Sequence, residues 1–323
     1  MEKEKNYKPV KKAMILAGGL GTRFLPATLC LAKELFPIGN KPILMHHIED
    51  IVKAGITDIL IVGNTLKEDS FRSFLTPSED YLSRIEADGK MGSLSEINNL
   101  LSKVKITYIN QDDPEFNIDG KIVKNEGYGE RGSAIAILAG KAWANGEPIV
   151  VLNGDDLCFY KDGSSMTEEV LDVYNKTGDN VVYGKELPRE VMYKYSSMVL
   201  GGFVDGNTKG RKMLDIIEKP APGTEPSNIM GFCRYVLTPE FMNRVFKIKQ
   251  RANGEYNMTD VLQSLAKDGL ASTCIFSGDY FDCGSMGGYA LANTYVALKD
   301  ESSKKAVYEG LKNFDKNLKE NEK

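Results

Sequence analysis

The sequence predicts an α/β fold in which a mainly parallel β-sheet is covered on both faces by helices. Short apolar segments alternate with helical patterns through the first half of the chain, and these segments are apolar on both of their faces. Strands buried between two helical layers have this uninterrupted apolar character, whereas strands with one solvent face alternate. Two further observations narrow the class, because the sequence has neither an apolar run of about 18 residues nor a repeat of fixed period. A membrane-spanning helix and a solenoid are therefore not expected.

The elements of the first half can be assigned in order from periodicity and from glycine and proline signals. Residues 42–54 place apolar side chains on one helical face, begin with a proline and end before Gly55. The predicted order is a strand at 12–17, a helix at 42–54, a strand at 56–62, a polar helix reaching Leu75, a strand at 105–110, an alanine-rich helix at 133–145 and a strand at 148–152.

The second half is less regular but keeps strand patterns, at 180–183, 198–204, 212–217, 234–237 and 272–276. Since no linker rich in proline or serine separates the halves, we expect the second half to extend the first sheet. The last 25 residues place Val307, Leu311, Phe314 and Leu318 at spacings of four, three and four on a charged background. This pattern predicts an amphipathic helix that either docks on its own chain or forms a dimer contact.

Composition excludes several classes of protein. Forty-one basic and 45 acidic residues give a net charge of −4, which favours neither a nucleic-acid partner nor a membrane surface. The first twelve residues are charged and lack the apolar core of a signal peptide. Five scattered cysteines and two adjacent histidines make a disulfide framework, a zinc site and a Ser-His-Asp site improbable. We therefore expect a reduced, cytoplasmic protein.

The first predicted strand runs directly into a glycine-rich turn. This turn contains Gly18, Gly19, Gly21 and Thr22, and Arg23 follows at once. Such a turn can bring backbone N–H groups close to a phosphate, and ligands of open α/β sheets bind at this edge. The turn lacks the lysine of a P-loop and the third glycine of a dinucleotide fingerprint. Without further signals, a purely structural turn would explain it equally well.

Several distinct motifs, separated from one another, follow in order along the chain. They are LAGGLGTRFLPAT, AKELFPIGNKPI, IIEKP, PSNIMGFCRYVL, GEYNMTD and FDCGSMGGY. From about residue 12 to 298 the sequence resembles nucleotidyltransferases that join a nucleoside triphosphate to a sugar 1-phosphate, most of all the bacterial UTP–glucose-1-phosphate uridylyltransferases. The resemblance implies a Rossmann-like, doubly wound, mixed and mainly parallel sheet of the nucleotide-diphospho-sugar transferase type, with additional sugar-binding elements.

The resemblance also implies a domain division and a reaction. One nucleotidyltransferase domain would span residues 1–298, with a nucleotide-binding half at about 12–155 and a sugar-binding half at about 156–298, followed by the helix at 299–323. The enzyme would bind UTP, glucose 1-phosphate and Mg²⁺, and would release UDP-glucose and pyrophosphate. A homodimer or homotetramer would be typical of the family.

The implied phosphate and metal residues lie at the ends of predicted strands. Gly18, Gly19, Gly21 and Thr22 would hold the triphosphate together with Arg23. Lys33 would reach the α-phosphate or the leaving pyrophosphate. Asp155 would hold the metal, with Asp282 as a second ligand, and Asp156 is expected to point elsewhere. A helix cap or a turn is the alternative role for Asp155.

The implied sugar and base residues come from other segments. Glu218 would accept hydrogen bonds from sugar hydroxyls, Lys219 would bind the sugar phosphate, and Asn228 would contact the sugar. If strand geometry continues through IIEKP, Glu218 and Lys219 face opposite sides and do not pair. Gln111 would read the base through its amide, and Gly132 would approach the nucleotide closely.

Three departures from the family pattern leave the substrate open. Residues 112–126 look like an insertion after Gln111, and Ser133 stands where histidine is usual. Ser196–Ser197 follows Tyr195, where the family tends to carry Tyr-Gly. An enzyme that uses dTTP, CTP or another sugar 1-phosphate is therefore the main alternative. A non-catalytic nucleotide-sugar sensor is less favoured because the cations and acids are present. An NAD-linked oxidoreductase is disfavoured because the second strand ends in Gly63-Asn64 without an acid.

Overall fold

The computed structural model describes residues 7–204 and 209–321, and side chains as far as residue 316. The strands are β1 (Lys12–Leu16), β2 (Pro37–Ile38), β3 (Lys41–Pro42), β4 (Asp58–Gly63), β5 (Lys105–Asn110), β6 (Glu115–Ile118), β7 (Lys121–Lys124), β8 (Ile149–Asn153), β9 (Asp156–Phe159), β10 (Asn180–Glu186), β11 (Ser196–Phe203), β12 (Gly210–Glu218), β13 (Ile229–Leu237), β14 (Ala271–Phe276) and β15 (Asp279–Asp282). The α-helices are α1 (Ile43–Lys53), α2 (Glu68–Leu75), α3 (Glu79–Ala87), α4 (Ser95–Leu101), α5 (Ser133–Ala139), α6 (Lys141–Ala144), α7 (Met166–Thr177), α8 (Pro239–Arg244), α9 (Met258–Lys267), α10 (Met286–Lys299) and α11 (Lys304–Asn321).

One mixed sheet organises the part of the chain that the structure describes. Its nine strands follow the order β10-β14-β12-β11-β13-β8-β1-β4-β5, so strands from both halves of the chain share it. The pairings around β1, β4, β5 and β8 are parallel, whereas β12 and β13 run against their neighbours. The other seven strands point in one direction, and the predicted mixed, mainly parallel α/β sheet is confirmed.

Both faces of the sheet are buried, as the apolar strands predict. In β1, Ala13 and Ile15 face one apolar cluster and Met14 faces the other, and the neighbouring strand β4 alternates in the same way. Helices α1, α2 and α7 cover the first face, and α5, α8 and α9 cover the second. The carboxyl ends of β1 and β8 therefore open at one edge, between two packed layers.

Two predicted elements differ in detail. The helix expected at 133–145 is divided at Gly140 into α5 and α6, and a side chain at Gly140 would collide with Met14 and Leu60 of the sheet. The expected C-terminal helix is present as α11 and packs against α10. Leu311 and Phe314 of its apolar seam remain exposed, while Leu318 lies outside the described side chains.

All five cysteines are free thiols in the described part of the chain. No helix in the described ranges combines the length and the apolar character that are needed to cross a bilayer.

Candidate active site

A cavity of about 350 Å³ opens where the carboxyl ends of β1 and β8 meet the second half of the chain. Its walls bring together residues that are far apart in sequence and that the motifs single out. Among them are Arg23, Asp155, Asp282, Glu218 and Lys219. Cations and acids thus converge in one concave site, which is the arrangement that a reaction between two phosphate compounds needs.

The glycine-rich loop has the tight geometry that its sequence predicts. Gly21 adopts a left-handed conformation with φ of 69°, and its carbonyl accepts a hydrogen bond of 3.0 Å from Thr28 Oγ1. A short 3₁₀ turn, Thr22–Phe24, follows it. The ring of Phe24 packs edge-on against Phe36, with centroids 5.1 Å apart. The aromatic contact anchors the loop while Arg23 remains largely exposed and able to meet a phosphate.

Lys33 lies beneath this loop. Its ammonium pairs with the carboxylate of Asp155, and a Cβ placed on Gly19 would lie 3.5 Å from Lys33 Nζ. Burial by itself lowers the pKa of Lys33, but the nearby charges of Asp155 and Glu34 outweigh it, so the pKa is raised and Lys33 is a cation at neutral pH. The predicted neighbourhood of glycine loop, lysine and aspartate is therefore present.

A buried ion pair that the sequence analysis did not single out supports the loop. Lys67 Nζ lies 2.9 Å from a carboxylate oxygen of Glu34, and both side chains are at least 95% buried. Burial lowers the pKa of Lys67 and raises that of Glu34, while the attraction between them opposes both shifts. Glu34 follows Lys33 directly in sequence. For Lys67, nothing local in the sequence distinguishes it from a solvated lysine.

The two acids predicted to hold a metal face one another across Gly284. A side chain at Gly284 would collide with the carboxylates of both Asp155 and Asp282. Asp282 also accepts a 3.0 Å hydrogen bond from the Gly284 N–H and lies 3.5 Å from Arg23 Nη1. Among the described residues no group of three or more His, Cys, Asp and Glu could hold a metal. Two carboxylates fit a magnesium site whose other ligands are phosphate oxygens and water.

Asp156 does not point away from the site, contrary to the expectation from continued strand geometry. Strand β8 ends at Asn153, and β9 begins only at Asp156, so the alternation is interrupted by the turn between them. Asp156 also borders the cavity, where it accepts hydrogen bonds from Asn153 Nδ2 at 2.9 Å and Tyr280 Oη at 2.8 Å. Burial raises the pKa of Asp156 to about 7, and the negative charge of Asp155 acts in the same direction.

Glu218 and Lys219 line the same cavity, and the expectation that they cannot pair is wrong. Lys219 Nζ is 3.7 Å from Glu218 Oε1. Strand β12 ends at Glu218, and Lys219 has a left-handed backbone with φ of 48°, so the two side chains no longer alternate. Glu218 also accepts a 2.8 Å hydrogen bond from Thr259 Oγ1, whereas Lys219 is mostly exposed to the cavity.

The structure does not place Asn228 in this cavity. Its Nδ2 donates a 2.9 Å hydrogen bond to Glu186 at the protein surface. The two serines that depart from the family pattern are buried and bonded to main chain. Ser196 Oγ donates to the Gly231 carbonyl, and Ser197 Oγ donates to the Ser227 carbonyl. These serines therefore tie β11 to the segment that leads into β13 and to β13 itself.

Gln111 lies directly beside the glycine loop, at the end of β5. A Cβ on Gly18 would come within 2.7 Å of the Gln111 side-chain amide. The inserted segment forms a β-hairpin, β6 and β7, closed by Asp119 and Gly120 with positive φ. Asn125, at the base of this hairpin, donates a 3.0 Å hydrogen bond to the Gln111 carbonyl. The insertion is thus tethered to the residue predicted to read the base.

Gly132 makes its close approach to the protein's own backbone. It has φ of 118°, and a side chain there would collide with the backbone of Tyr256. The neighbouring Ser133, which borders the cavity, accepts a 2.9 Å hydrogen bond from the Met258 N–H. Packing against residues 256–258 therefore explains the glycine, and its contact with a nucleotide stays a prediction.

Residues 12–298 match the family model described as nucleotidyl transferase. The chain belongs to the nucleotidyl transferase family. The match covers the sheet, the glycine-rich loop and every cavity residue named above, and leaves helix α11 outside it. The chain is accordingly a nucleotidyltransferase enzyme, and members of this family generally use a divalent metal.

Relatives of this nucleotidyl transferase match it over nearly their whole length. A protein of Staphylococcus haemolyticus named UTP–glucose-1-phosphate uridylyltransferase is 30% identical over 311 residues, covering 94% of this chain and 98% of the relative. A protein of Pseudomonas aeruginosa with the same name is 31% identical over 286 residues, covering 88% and 95%.

Solved structures give the same result for the fold. A UDP-glucose pyrophosphorylase complexed with UDP-glucose superposes with a TM-score of 0.76 at 28% identity, covering 90% of this chain and all of that one. A UTP-bound enzyme from Acinetobacter baumannii superposes with a TM-score of 0.79 at 24% identity, covering 94% and 98%. The resemblance first seen in the motifs is therefore confirmed across the chain.

Proposed function

We propose that this enzyme transfers the uridylyl group of UTP to glucose 1-phosphate, giving UDP-glucose and pyrophosphate. The observation that carries the proposal is the cavity whose lining gathers Arg23, Asp155 and Asp282 together with Glu218 and Lys219. The first three residues suit a triphosphate with its metal, and the other two suit a phosphorylated sugar. The relatives of nearly equal length, which are named for this reaction, support the same substrates.

The reaction needs charge neutralisation and alignment rather than a protein nucleophile. An oxygen of the sugar phosphate attacks the α-phosphorus, the bond between that phosphorus and the bridging oxygen breaks, and pyrophosphate leaves with the electron pair. Arg23 and the N–H groups of Gly19 and Gly21 would bind the triphosphate. Lys33 would stabilise the charge that develops on the α-phosphate or the leaving pyrophosphate.

Mg²⁺ is the metal that we propose for the two facing acids. Asp155 and Asp282 would hold it, and phosphate oxygens and water would complete its preferred six oxygen ligands. When bound, the metal would neutralise negative charge on the phosphates. Carboxylates are hard oxygen ligands, and the absence of histidine and cysteine from the named cavity residues favours Mg²⁺ over a softer metal.

The sugar and the base would be recognised by separate groups, the sugar by residues that line the cavity and the base by Gln111 beside the glycine-rich loop. Lys219 would bind the sugar phosphate, and Glu218, held by Thr259, would accept hydrogen bonds from sugar hydroxyls. Asn228 would contact the sugar only after leaving Glu186, which makes its role the weakest of this group. Gln111 beside Gly18 would read the uracil edge through its amide.

The β-hairpin after Gln111 favours one second candidate, the same chemistry with dTTP or CTP. The hairpin is bonded to the Gln111 carbonyl through Asn125, and it can therefore alter how the amide meets a base. A panel of UTP, dTTP, CTP, GTP and ATP with glucose 1-phosphate, assayed for pyrophosphate release, tests both candidates. Preference for UTP supports the first proposal, and preference for dTTP or CTP supports the second.

We also propose that the enzyme works as a homodimer or homotetramer in the cytoplasm. The exposed Leu311 and Phe314 on α11 support assembly with a second copy, since they lie on an otherwise charged helix. The domain boundary at residue 298 remains a proposal of the same kind, as does the division of the domain near residue 155.

A further inference from the structure

The loop between β4 and α2 reaches beneath the glycine-rich loop and holds two consecutive carbonyl groups. Asn64 Nδ2 donates a 2.7 Å hydrogen bond to the Gly18 carbonyl. Lys67 Nζ donates a 3.2 Å hydrogen bond to the Ala17 carbonyl. Both side chains are buried, and the Lys67 N–H bonds to the Asn64 carbonyl at 3.2 Å, so the two residues act from one compact turn.

Because the peptide group is planar, these two hydrogen bonds also determine where the neighbouring N–H groups point. In a planar trans peptide the C=O and N–H bonds point in opposite directions. Since the carbonyls of Ala17 and Gly18 point toward Lys67 and Asn64, the N–H groups of Gly18 and Gly19 point away from them. Within the described part of the chain, neither N–H group donates a hydrogen bond to a protein acceptor. Two donors are thus aimed outward from the loop and left available for an anion.

The same turn is connected to the catalytic lysine and to the strand that carries the metal acid. Lys67 forms its buried ion pair with Glu34, whose Oε1 lies 3.7 Å from Lys33 Nζ. The Glu34 side chain also packs against Gly154, where an added Cβ would lie only 2.8 Å from Glu34 Cγ. One buried ion pair therefore touches three segments of the site: the glycine loop, Lys33 and the turn before Asp155.

We propose that Asn64 and Lys67 are positioning residues for the nucleotidyl transfer, which aim the Gly18 and Gly19 amides at the triphosphate. Lys67 additionally holds Lys33 beside Asp155 through Glu34. The inference rests on the proposed function, because it assigns these residues to binding of the nucleotide rather than the sugar phosphate. It predicts that loss of either residue weakens triphosphate binding selectively, since neither Asn64 nor Lys67 is among the described residues that line the cavity with Glu218 and Lys219.

The test compares Asn64→Ala and Lys67→Met with a matched control, Lys12→Met. Lys12 lies at the opposite end of β1, and it also donates to a backbone carbonyl, that of Trp143 at 2.9 Å, and pairs with a glutamate, Glu147 at 2.9 Å. Calorimetric titration would measure binding of UTP, inorganic tripolyphosphate and glucose 1-phosphate to each full-length protein. We expect the Kd for UTP and tripolyphosphate to rise about tenfold or more in both variants, as loss of a charge-assisted or buried hydrogen bond implies. The Kd for glucose 1-phosphate should stay within about twofold, and the control should match the wild type.

A further pair of variants keeps the test informative if Lys67→Met does not fold. The double variant Glu34→Gln/Lys67→Met removes both buried charges, and Lys67→Arg retains the cation and should recover most of the UTP affinity. Unchanged triphosphate binding in Asn64→Ala and in the double variant would overturn the inference. An equal loss of affinity for UTP, tripolyphosphate and glucose 1-phosphate would also overturn it, because a merely structural role would affect all three ligands alike.

The tripolyphosphate titration separates this inference from the proposed function. If the wild type binds tripolyphosphate but does not turn over UTP, and the variants lose tripolyphosphate binding, the positioning role stands and the substrate assignment fails. If the wild type turns over UTP and the variants bind both triphosphates normally, the substrate assignment stands and the positioning role fails. If the wild type binds neither UTP nor tripolyphosphate, both the positioning role and the substrate assignment are contradicted.

Discussion

At the level of single residues, two of the proposed phosphate-binding cations lie beside an acid from a different segment. Lys33 pairs with Asp155, and Arg23 lies 3.5 Å from Asp282. Each pair gives its partly buried members, Lys33, Asp155 and Asp282, a counter-ion within reach, which offsets the cost of burying their charge. In the proposed reaction they would also couple phosphate binding to metal binding, since a cation that turned to a phosphate would leave its carboxylate available to a metal.

The first prediction concerns the metal acid. Asp155→Asn should lower kcat at saturating Mg²⁺ at least about 100-fold, because the metal loses its anionic ligand at the α-phosphate. Melting temperature checks that the fold is kept. Asp162→Asn is the control, as Asp162 is a surface carboxylate bonded to Ser164 and remote from the cavity. Full activity of Asp155→Asn would remove Asp155 from the metal site.

The second prediction distinguishes binding of the sugar phosphate from binding of the nucleotide. Lys219→Ala should raise the Kd for glucose 1-phosphate about tenfold or more while the Kd for UTP changes little, because one charge-assisted hydrogen bond to the sugar phosphate is lost. Lys212→Ala offers a control on β12, the strand that ends directly before Lys219, where Lys212 pairs with Asp179. If Lys219→Ala lost more affinity for UTP than for glucose 1-phosphate, Lys219 would be assigned to nucleotide binding instead.

Sequence reasoning finds the residues that lie in a continuous motif or directly after an apolar strand. Arg23, Lys33 and Asp155 belong to this group, and the structure brings them together. It does not find Asn64 or Lys67, whose roles depend on packing between segments more than 30 residues apart. It also misjudges Lys219, because its positive φ follows from tertiary context and not from a glycine or asparagine signal.

At the level of elements, the buried strands are the most predictable part. The strand predicted at 105–110 coincides with β5, and that at 12–17 differs from β1 by one residue. Apolar runs between helical layers leave little ambiguity. The predicted boundaries of β11, β12 and β13 agree less well with the structure. Antiparallel pairing and register shifts in this region interrupt the regular sequence pattern.

The hairpin of β6 and β7 provides the third prediction. Gln111→Ala should reduce the preference for UTP over dTTP and CTP, measured as ratios of kcat/KM, because the amide that meets the base edge is removed. Asn117→Ala on the outer part of the same hairpin is the control, where the Asn117 side chain accepts a hydrogen bond from the Gly120 N–H. An unchanged UTP preference in Gln111→Ala would assign base recognition to backbone groups near Gly132.

Helix α11 provides the fourth prediction. Phe314→Ser should lower the mass measured by light scattering below that of the wild type, because the exposed aromatic side chain would no longer be buried against a second copy. Thr294→Ser on α10, a conservative change at a surface position, should not alter the mass. A wild type that is monomeric at all concentrations would contradict the proposed assembly.

At the level of the whole molecule, a buried histidine links acidity to stability. Burial lowers the pKa of His47 to about 3, and the nearby Arg234 acts in the same direction while Asp50 opposes it. The unfolded chain binds a proton at this histidine below its ordinary pKa of 6.5, whereas the folded chain does not until about pH 3. The stability from neutral His47 is therefore present above pH 6.5 and is lost as the pH falls toward 3.

The fifth prediction follows from this loss of stability as the pH falls. Between pH 7 and pH 5, His47 alone should reduce the free energy of unfolding by about 2 kcal/mol. Denaturant unfolding of the wild type and of His47→Gln at several pH values measures the difference, in which contributions from Asp156 and other groups cancel. Parallel pH profiles for the two proteins would show that His47 does not titrate on unfolding.

The fold and the reaction converge on one claim, that the cavity joins UTP to glucose 1-phosphate. The most direct measurement is ³¹P NMR of the purified chain with both substrates, with Mg²⁺ and, separately, with a chelator. We predict that pyrophosphate and UDP-glucose appear in equal amounts with Mg²⁺ and that neither appears with the chelator. Hydrolysis of UTP without UDP-glucose, or no change in either sample, would contradict the assignment.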